Sequence, residues 1–312
     1  MRFHWNWIEP VMPVPYVPTL GPVHPHSPFP DLFDAVLEAA GTGGFLPHDK
    51  DCRWSATKTE RVLVDAVEHG PDQTLIPTLV ERGAGTVKVH VYGAAPDSLS
   101  TGADLARKLA VTHGAGKARL VWFLGADQPE AYVRGAGARV QLKEFTAGPE
   151  AGSDVPVEEY AQLPEGAGFA EFAEEMAADG FRFLYGHMQA GAVGPVLTVL
   201  HDGRVAGAIG PMETMADAAG RARLLPQYFG VLPEHRGRGY GRALWRGAMR
   251  WGHEHGAAYQ LLQTEVGGRV GPAVRGGGPG VPRVHQPDRP CLTVQAARWS
   301  RECSGRNGVE AV

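Results

Sequence analysis

Cysteine is scarce. The 312 residues hold three (Cys52, Cys291, Cys303), too few for a disulfide framework or a four-cysteine zinc site. No apolar run is long enough to cross a bilayer, and the N-terminus, MRFHWNWIEP, lacks the continuous apolar stretch of an export signal. The expectation is a cytoplasmic protein with no membrane partner. Excess charge is also missing: 30 Lys plus Arg stand against 34 Asp plus Glu, a formal net charge of -4. Global electrostatics therefore do not draw the chain onto nucleic acid. Ser98, Ser100 and Ser153 lack the Gly-x-Ser-x-Gly setting of a nucleophile elbow. His24 with His26 and His253 with His255 are two apart, a spacing that does not align ligands on one helical face, so no metal is expected.

Core material is present. Hydrophobic residues make up 43% of the chain, and the length fits two domains. Residues 1–30 carry eight prolines and read as an extended arm, with Trp5, Trp7 and Tyr16 to pack on something. Residues 31–147 read as one α/β domain. Helices are expected at 31–40, 58–68, 75–81, 105–113 and 128–133, and strands at 86–92, 118–124 and 138–145. Residues 148–152 look like a linker.

Residues 155–266 read as a second α/β domain. A helix is expected at 169–179, and two strands at 196–201 and 204–209 join at Asp202-Gly203, a pair suited to a φ > 0 hairpin turn. A strand lies within 222–231. A helix over 241–255 has Leu244, Trp245, Ala248 and Trp251 as its buried stripe, and a strand covers 258–266. Past Val266 the character changes. Residues 267–312 hold nine Gly, five Pro and seven Arg against three acids, and only 291–299 shows an apolar pattern. This tail is expected to be mostly unstructured. The same change of character is what a shift of reading frame just past Gly268 would produce.

The informative stretch is Tyr228–Gly241, YFGVLPEHRGRGYG. A strand ends at Val231, a loop with Pro233 and Glu234 follows, and Arg236-Gly237-Arg238-Gly239-Tyr240-Gly241 opens the long helix. Glycines clear side chains so that successive backbone N–H groups can face one anion, and the helix start adds unpaired donors and its dipole. Arg236, Arg238 and Arg242 can neutralise phosphate charge. The spacing matches neither a Gly-Lys-Ser/Thr phosphate loop nor a dinucleotide fingerprint.

Arg236-x-x-Gly239-x-Gly241, set between a strand and an amphipathic helix, resembles the pyrophosphate motif of the GCN5-related N-acetyltransferase (GNAT) superfamily. The resemblance covers about residues 155–266. It implies a tandem acyl-CoA N-acyltransferase-like α/β fold with mixed sheets, whose N-terminal unit is a degenerate copy without the anion motif. It implies acetyl-CoA or another acyl-CoA as donor, no metal, and transfer to a primary amine of a small molecule by direct attack. The donor would meet Phe229, Gly230 and Val231 on the strand. Arg236, Gly237, Arg238, Gly239, Tyr240, Gly241 and Arg242 would hold its diphosphate.

Family members often carry a Glu on that strand, but there is no acid between Gly220 and Pro233. Glu213 and Glu265 are the alternatives for the base, and Tyr228 could orient the acceptor or donate a proton. His187 and His201 are pocket candidates, with His201 expected at the surface beside the hairpin turn. The family's closing tyrosine-bearing helix and final strands have no counterpart after Tyr259. Two other functions stay open: aminoacyl transfer from charged tRNA, the one nucleic-acid partner considered, and non-catalytic coenzyme binding or interaction. A homo-oligomer is compatible with all three.

Overall fold

The structure, a computed structural model, describes residues 14–93, 97–124, 136–145, 154–265 and 291–300. The chain divides into two compact units. Unit 1 comprises residues 1–142, 261–268 and 286–312; unit 2 comprises 143–260 and 269–285. The sequence-based boundaries were 30/31, 147/155 and 266/267. The expected helix at 128–133 and the linker at 148–152 lie outside the described residues.

Unit 1 opens with a small hairpin, β1 (Tyr16–Val17) and β2 (Gly21–Pro22), followed by α1 (Phe29–Ala39). Val14, Val17, Leu20 and Val23 are buried, so the described end of the Pro-rich segment is packed. Tyr92 donates its hydroxyl to the Tyr16 carbonyl at 2.7 Å, and the Tyr16 ring stacks on His90. Then come β3 (Glu60–Val62), β4 (Glu68–His69), β5 (Gln73–Val80), β6 (Thr86–Gly93), α2 (Ser98–Thr112), β7 (Lys117–Leu124) and β8 (Ala136–Glu144).

The expected helix at 58–68 is instead β3, a 3-10 turn (Val64–Ala66) and the start of β4, and the one expected at 75–81 lies in β5. β5 pairs with β3, β4 and β6 and is buried on both faces, so its apolar residues do not alternate as a half-exposed strand's would. β6 and β7 run parallel, joined by α2. Gly102 brings α2 down onto the sheet: a Cβ there would come within 2.8 Å of both Leu120 and Val91. The segment Cys291–Ser300, assigned from sequence to an unstructured tail, is a strand antiparallel to both β7 and β8.

Unit 2 contains β9 (Glu158–Glu159), α3 (Phe169–Glu175), α4 (Phe181–Gln189), β10 (Leu197–His201), β11 (Arg204–Gly210), β12 (Thr214–Ala216), β13 (Ala222–Leu224), β14 (Tyr228–Val231), α5 (Tyr240–Glu254) and the start of β15 (Tyr259–Glu265), whose residues from Leu261 on fall in unit 1. The β10–β11 turn has Asp202 at φ 50° and Gly203 at φ 77°, as an Asp-Gly hairpin requires. The expected helix at 169–179 is shorter and ends in a 3-10 turn, and α4 was not foreseen. Gly180, at φ 88°, ends one turn and starts the next helix, and a Cβ there would strike the Tyr228 ring.

β11 and β12 form one interrupted strand, and so do β13 and β14. Gly210 pairs with Tyr228 and Thr214 with Leu224, so residues 211–213 face 225–227 without a change of register. α5 packs Ala243, Leu244, Ala248 and Met249 against Leu197, Val199, Ile209 and Leu224. Trp245 and Trp251, expected in the buried stripe, lie at its half-buried margin. Tyr259 is fully buried and donates its hydroxyl to Asp217 Oδ2 at 2.8 Å, while Asp217 Oδ1 accepts from the amides of Ala219 and Arg221 in the β12–β13 turn. Burial, and then the Asp217 carboxylate, push the phenol's ionisation far above its ordinary range. Tyr259→Phe should lower stability by about 1 kcal/mol, read as a shift in the urea midpoint at unchanged slope.

Candidate functional site

β13 and β15 are parallel neighbours, paired at Arg223↔Tyr259 and Leu224↔Gln260. Beyond that point β14 pairs with β11 instead, in a separate four-stranded sheet. Two adjacent parallel strands thus part where Leu225, Pro226 and Gln227 interrupt one of them. At the far end of β14 the chain makes a 3-10 turn (Pro233–His235) and enters α5. Gly237 at φ 82° and Gly239 at φ 86° adopt the left-handed conformation, and nothing lies within 4 Å of where either Cβ would be. Gly239 is the N-cap, and its carbonyl accepts from Ala243 N at 3.0 Å, so the amides of residues 240–242 precede the first intrahelical partner. Gly241 sits on Phe229: an added Cβ would make an ordinary 3.4 Å contact with that ring.

The arginines divide. Arg236 folds back and donates Nε to the Val231 carbonyl at 3.0 Å, tying the loop to the end of β14. Arg238 and Arg242 are exposed, and Arg238 Nη1 stands 3.5 Å from His201 Nε2. Tyr240 Oη is hydrogen-bonded to His201 Nδ1 at 2.9 Å, and the His201 and His235 rings are 4.6 Å apart between centroids. His201, expected at the surface, is half-buried because Tyr240 holds it against the loop. This grouping joins residues far apart in sequence, so no local motif announces it.

The expected proton-handling residues are scattered. Glu213 lies in the break between β11 and β12; its carbonyl accepts from Leu225 N at 2.9 Å, and its carboxylate accepts from Gly194 N at 3.1 Å. Glu213 is thus directly across the strand pair from the break. Tyr228 packs its ring on Phe181 and Phe183 of α4, at 6.3 Å from each. Glu265 ends β15, and its side chain is outside the described residues. His187 packs against Phe183 on α4 at 4.4 Å. Gln260, which the sequence reading passed over, is wholly buried at the point where the strands part. Among the described residues no group of three or more His, Cys, Asp or Glu could hold a metal, and no helix is long and apolar enough to cross a membrane.

Residues 158–269 match the model of the acetyltransferase (GNAT) family. The match covers about a third of the chain, and over that segment the chain is similar to a family whose general activity is acyl-CoA-dependent acetyl transfer. Unit 1 repeats the strand–helix–parallel strand order in β6–α2–β7 but lacks the Arg-Gly-rich helix start. A comparison with curated proteins gives no match.

Similar solved structures include a GCN5-related N-acetyltransferase from Sphaerobacter thermophilus (15% identity, 86% of this chain and 91% of that one, TM-score 0.45). A GNAT-family acetyltransferase from Colwellia psychrerythraea is also similar (12% identity, 84% and 94%, TM-score 0.46). So is a tandem GNAT protein from the clavulanic acid biosynthesis pathway (13% identity, 85% and 93%, TM-score 0.41).

Proposed function

We propose that unit 2 transfers an acyl group from an acyl-coenzyme A to a primary amine of a small molecule, by direct attack of the amine on the thioester. The observation that carries this is the parting of β14 from β15 in front of an open helix start. An edge freed from its parallel neighbour leaves backbone groups to meet the donor's amides, and the start of α5, where nothing crowds the would-be Cβ of Gly237 or Gly239, suits a diphosphate. Phe229, Gly230 and Val231 supply the strand. Gly237, Gly239, Tyr240 and Gly241 supply the cradle, with Arg238 and Arg242 adding positive charge. Arg236 acts through Val231 by fixing the loop.

The chain's own tasks are to hold the donor, orient the amine and take a proton from it. Glu213 is our assignment for the proton acceptor, directly or through water, because its backbone faces Leu225 at the break. Glu265 and Tyr228 are the other candidates.

The test is titration with acetyl-CoA by calorimetry, then thiol release with a panel of amines. Saturable binding with amine-dependent thiol release is expected. Absence of binding overturns the donor assignment. Binding with no release for any amine overturns the enzyme in favour of a coenzyme-binding module. Binding of charged tRNA in place of acetyl-CoA favours aminoacyl transfer.

A further inference from the structure

Gln260 has no exposed surface, and its side-chain oxygen, itself buried, meets no hydrogen-bond partner among the described residues. A buried acceptor left unsatisfied is costly and uncommon in folded chains. The rest of the carboxamide is fixed. Gln260 Nε2 donates to Gln227 Oε1 at 2.7 Å, and Gln227 Nε2 donates in turn to the Leu225 carbonyl. This relay bridges the two strands where their backbone pairing stops, at Leu224↔Gln260. The Gln260 carboxamide therefore cannot turn its oxygen elsewhere without breaking its bond to Gln227.

We infer that Gln260 Oε1 accepts an N–H of the attacking amine, making Gln260, held by Gln227, the residue that positions the acceptor substrate. This rests on the acyl-CoA reading above. An extended strand rises about 3.3 Å per residue, so Val231 and Leu225 stand roughly 20 Å apart along it. A donor anchored by its diphosphate beyond Val231 and laid along the strand brings its thioester end to the break. The thioester and an acetyl methyl carry no hydrogen-bond donor, whereas the incoming amine does. An amide is also a poor proton acceptor. Gln260 therefore orients the nucleophile without becoming protonated, and the proton leaves to a carboxylate such as Glu213. The carbon–nitrogen bond forms as the carbon–sulfur bond breaks, the thiolate carries the leaving electron pair, and it becomes the thiol by taking a proton from solvent.

The experiment compares wild type with Gln260→Met and Gln260→Glu. Met removes the acceptor, and with it the donor to Gln227, at similar volume; Glu loses the same donor but keeps an oxygen there. Loss of a hydrogen bond to a charged or strongly polar group predicts a rise of at least about tenfold in the amine KM for Gln260→Met. The dissociation constant for acetyl-CoA should stay within about twofold, and the melting temperature should change little, because removal of the orphan acceptor offsets the lost donation to Gln227 Oε1. Gln260→Glu should recover part of the amine KM. An unchanged amine KM in Gln260→Met overturns the inference, and so does a parallel loss of acetyl-CoA affinity, which would make the residue a donor contact.

A measurement on wild type does not depend on the variants folding. The Gln260 side-chain amide resonance should move when amine joins a complex with desulfo-coenzyme A, and not when that analogue binds alone. A shift with the analogue alone, or no shift with both, overturns the inference. Failure of wild type to bind any coenzyme would instead sink the reading on which it rests.

Discussion

Gly239→Glu should weaken acetyl-CoA binding by about a hundredfold, whereas Gly256→Glu should leave it within about twofold. The two glycines make a controlled pair. They flank α5 at φ 86° and φ 73°, and neither would-be Cβ has a neighbour within 4 Å. A side chain at either position costs about 1–2 kcal/mol of backbone strain, so both variants lose comparable stability. Helix electrostatics make Gly239→Glu the milder of the two for the fold, because a carboxylate is favourable near a helix N-terminus and unfavourable near its C-terminus. The positions stand about 25 Å apart along the helix.

Any excess loss of affinity at Gly239 therefore reports occupation of the space in front of the α5 amides. There a carboxylate competes with the diphosphate for the same donors and repels its charge. Calorimetric titration gives the affinities, and thermal melts should show Gly239→Glu to be no more destabilised than Gly256→Glu. Equal affinities for the two variants would mean that the helix start does not hold the donor.

The parts of this arrangement that lie close together in sequence were legible in it. Asp202-Gly203 names its own turn, because few residues tolerate φ > 0 there. The glycine-arginine run before α5 reads as a helix start open to an anion for the same reason. What failed was long-range pairing. Val62, Leu63 and Val67 admit a helical face, yet Leu63 N donates to the Pro77 carbonyl across the β3–β5 pair. Pro77 itself was the available warning, since proline has no place inside the helix expected at 75–81.

α4 was missed because Gly180 reads as a stop, whereas its left-handed conformation serves two successive turns. Gln227 and Gln260 belong to a different category. Each alone is an ordinary strand glutamine, and only the parting of β14 from β15 makes their contact informative. In the sequence Glu213 is one of two alternatives for the base, with nothing local to choose between them. Its place opposite Leu225 comes from a register that holds through the interruption, which no local pattern encodes.

Unit 1 should lose about 3 kcal/mol of stability between pH 6.5 and pH 4 through one residue, His90. Its side chain is buried in β6, where Nδ1 meets the Ile76 carbonyl at 3.1 Å. Burial lowers its pKa from 6.5 to about 4. The Glu60 carboxylate and the Ile76 carbonyl oppose the change, and Lys88 assists it. A folded-state value below the unfolded one means that the unfolded chain takes the proton first as the medium acidifies. Stability from this group is therefore complete above about pH 6.5 and is lost as pH falls toward 4.

Glu60 acts in a lower window. Burial works to raise its carboxyl, but Lys88, His90 and Thr78 outweigh that and hold it below its ordinary 4.5, so its own contribution disappears only in stronger acid. His90→Phe keeps an aromatic ring against Tyr16 and removes the titration. The difference between wild type and variant, followed by hydrogen exchange of the β5 and β6 amides so that unit 1 is read by itself, should shrink steadily from pH 6.5 to 4. A difference that stays constant across that interval would show that His90 takes up its proton in the folded chain no later than in the unfolded one, and that burial does not hold it neutral.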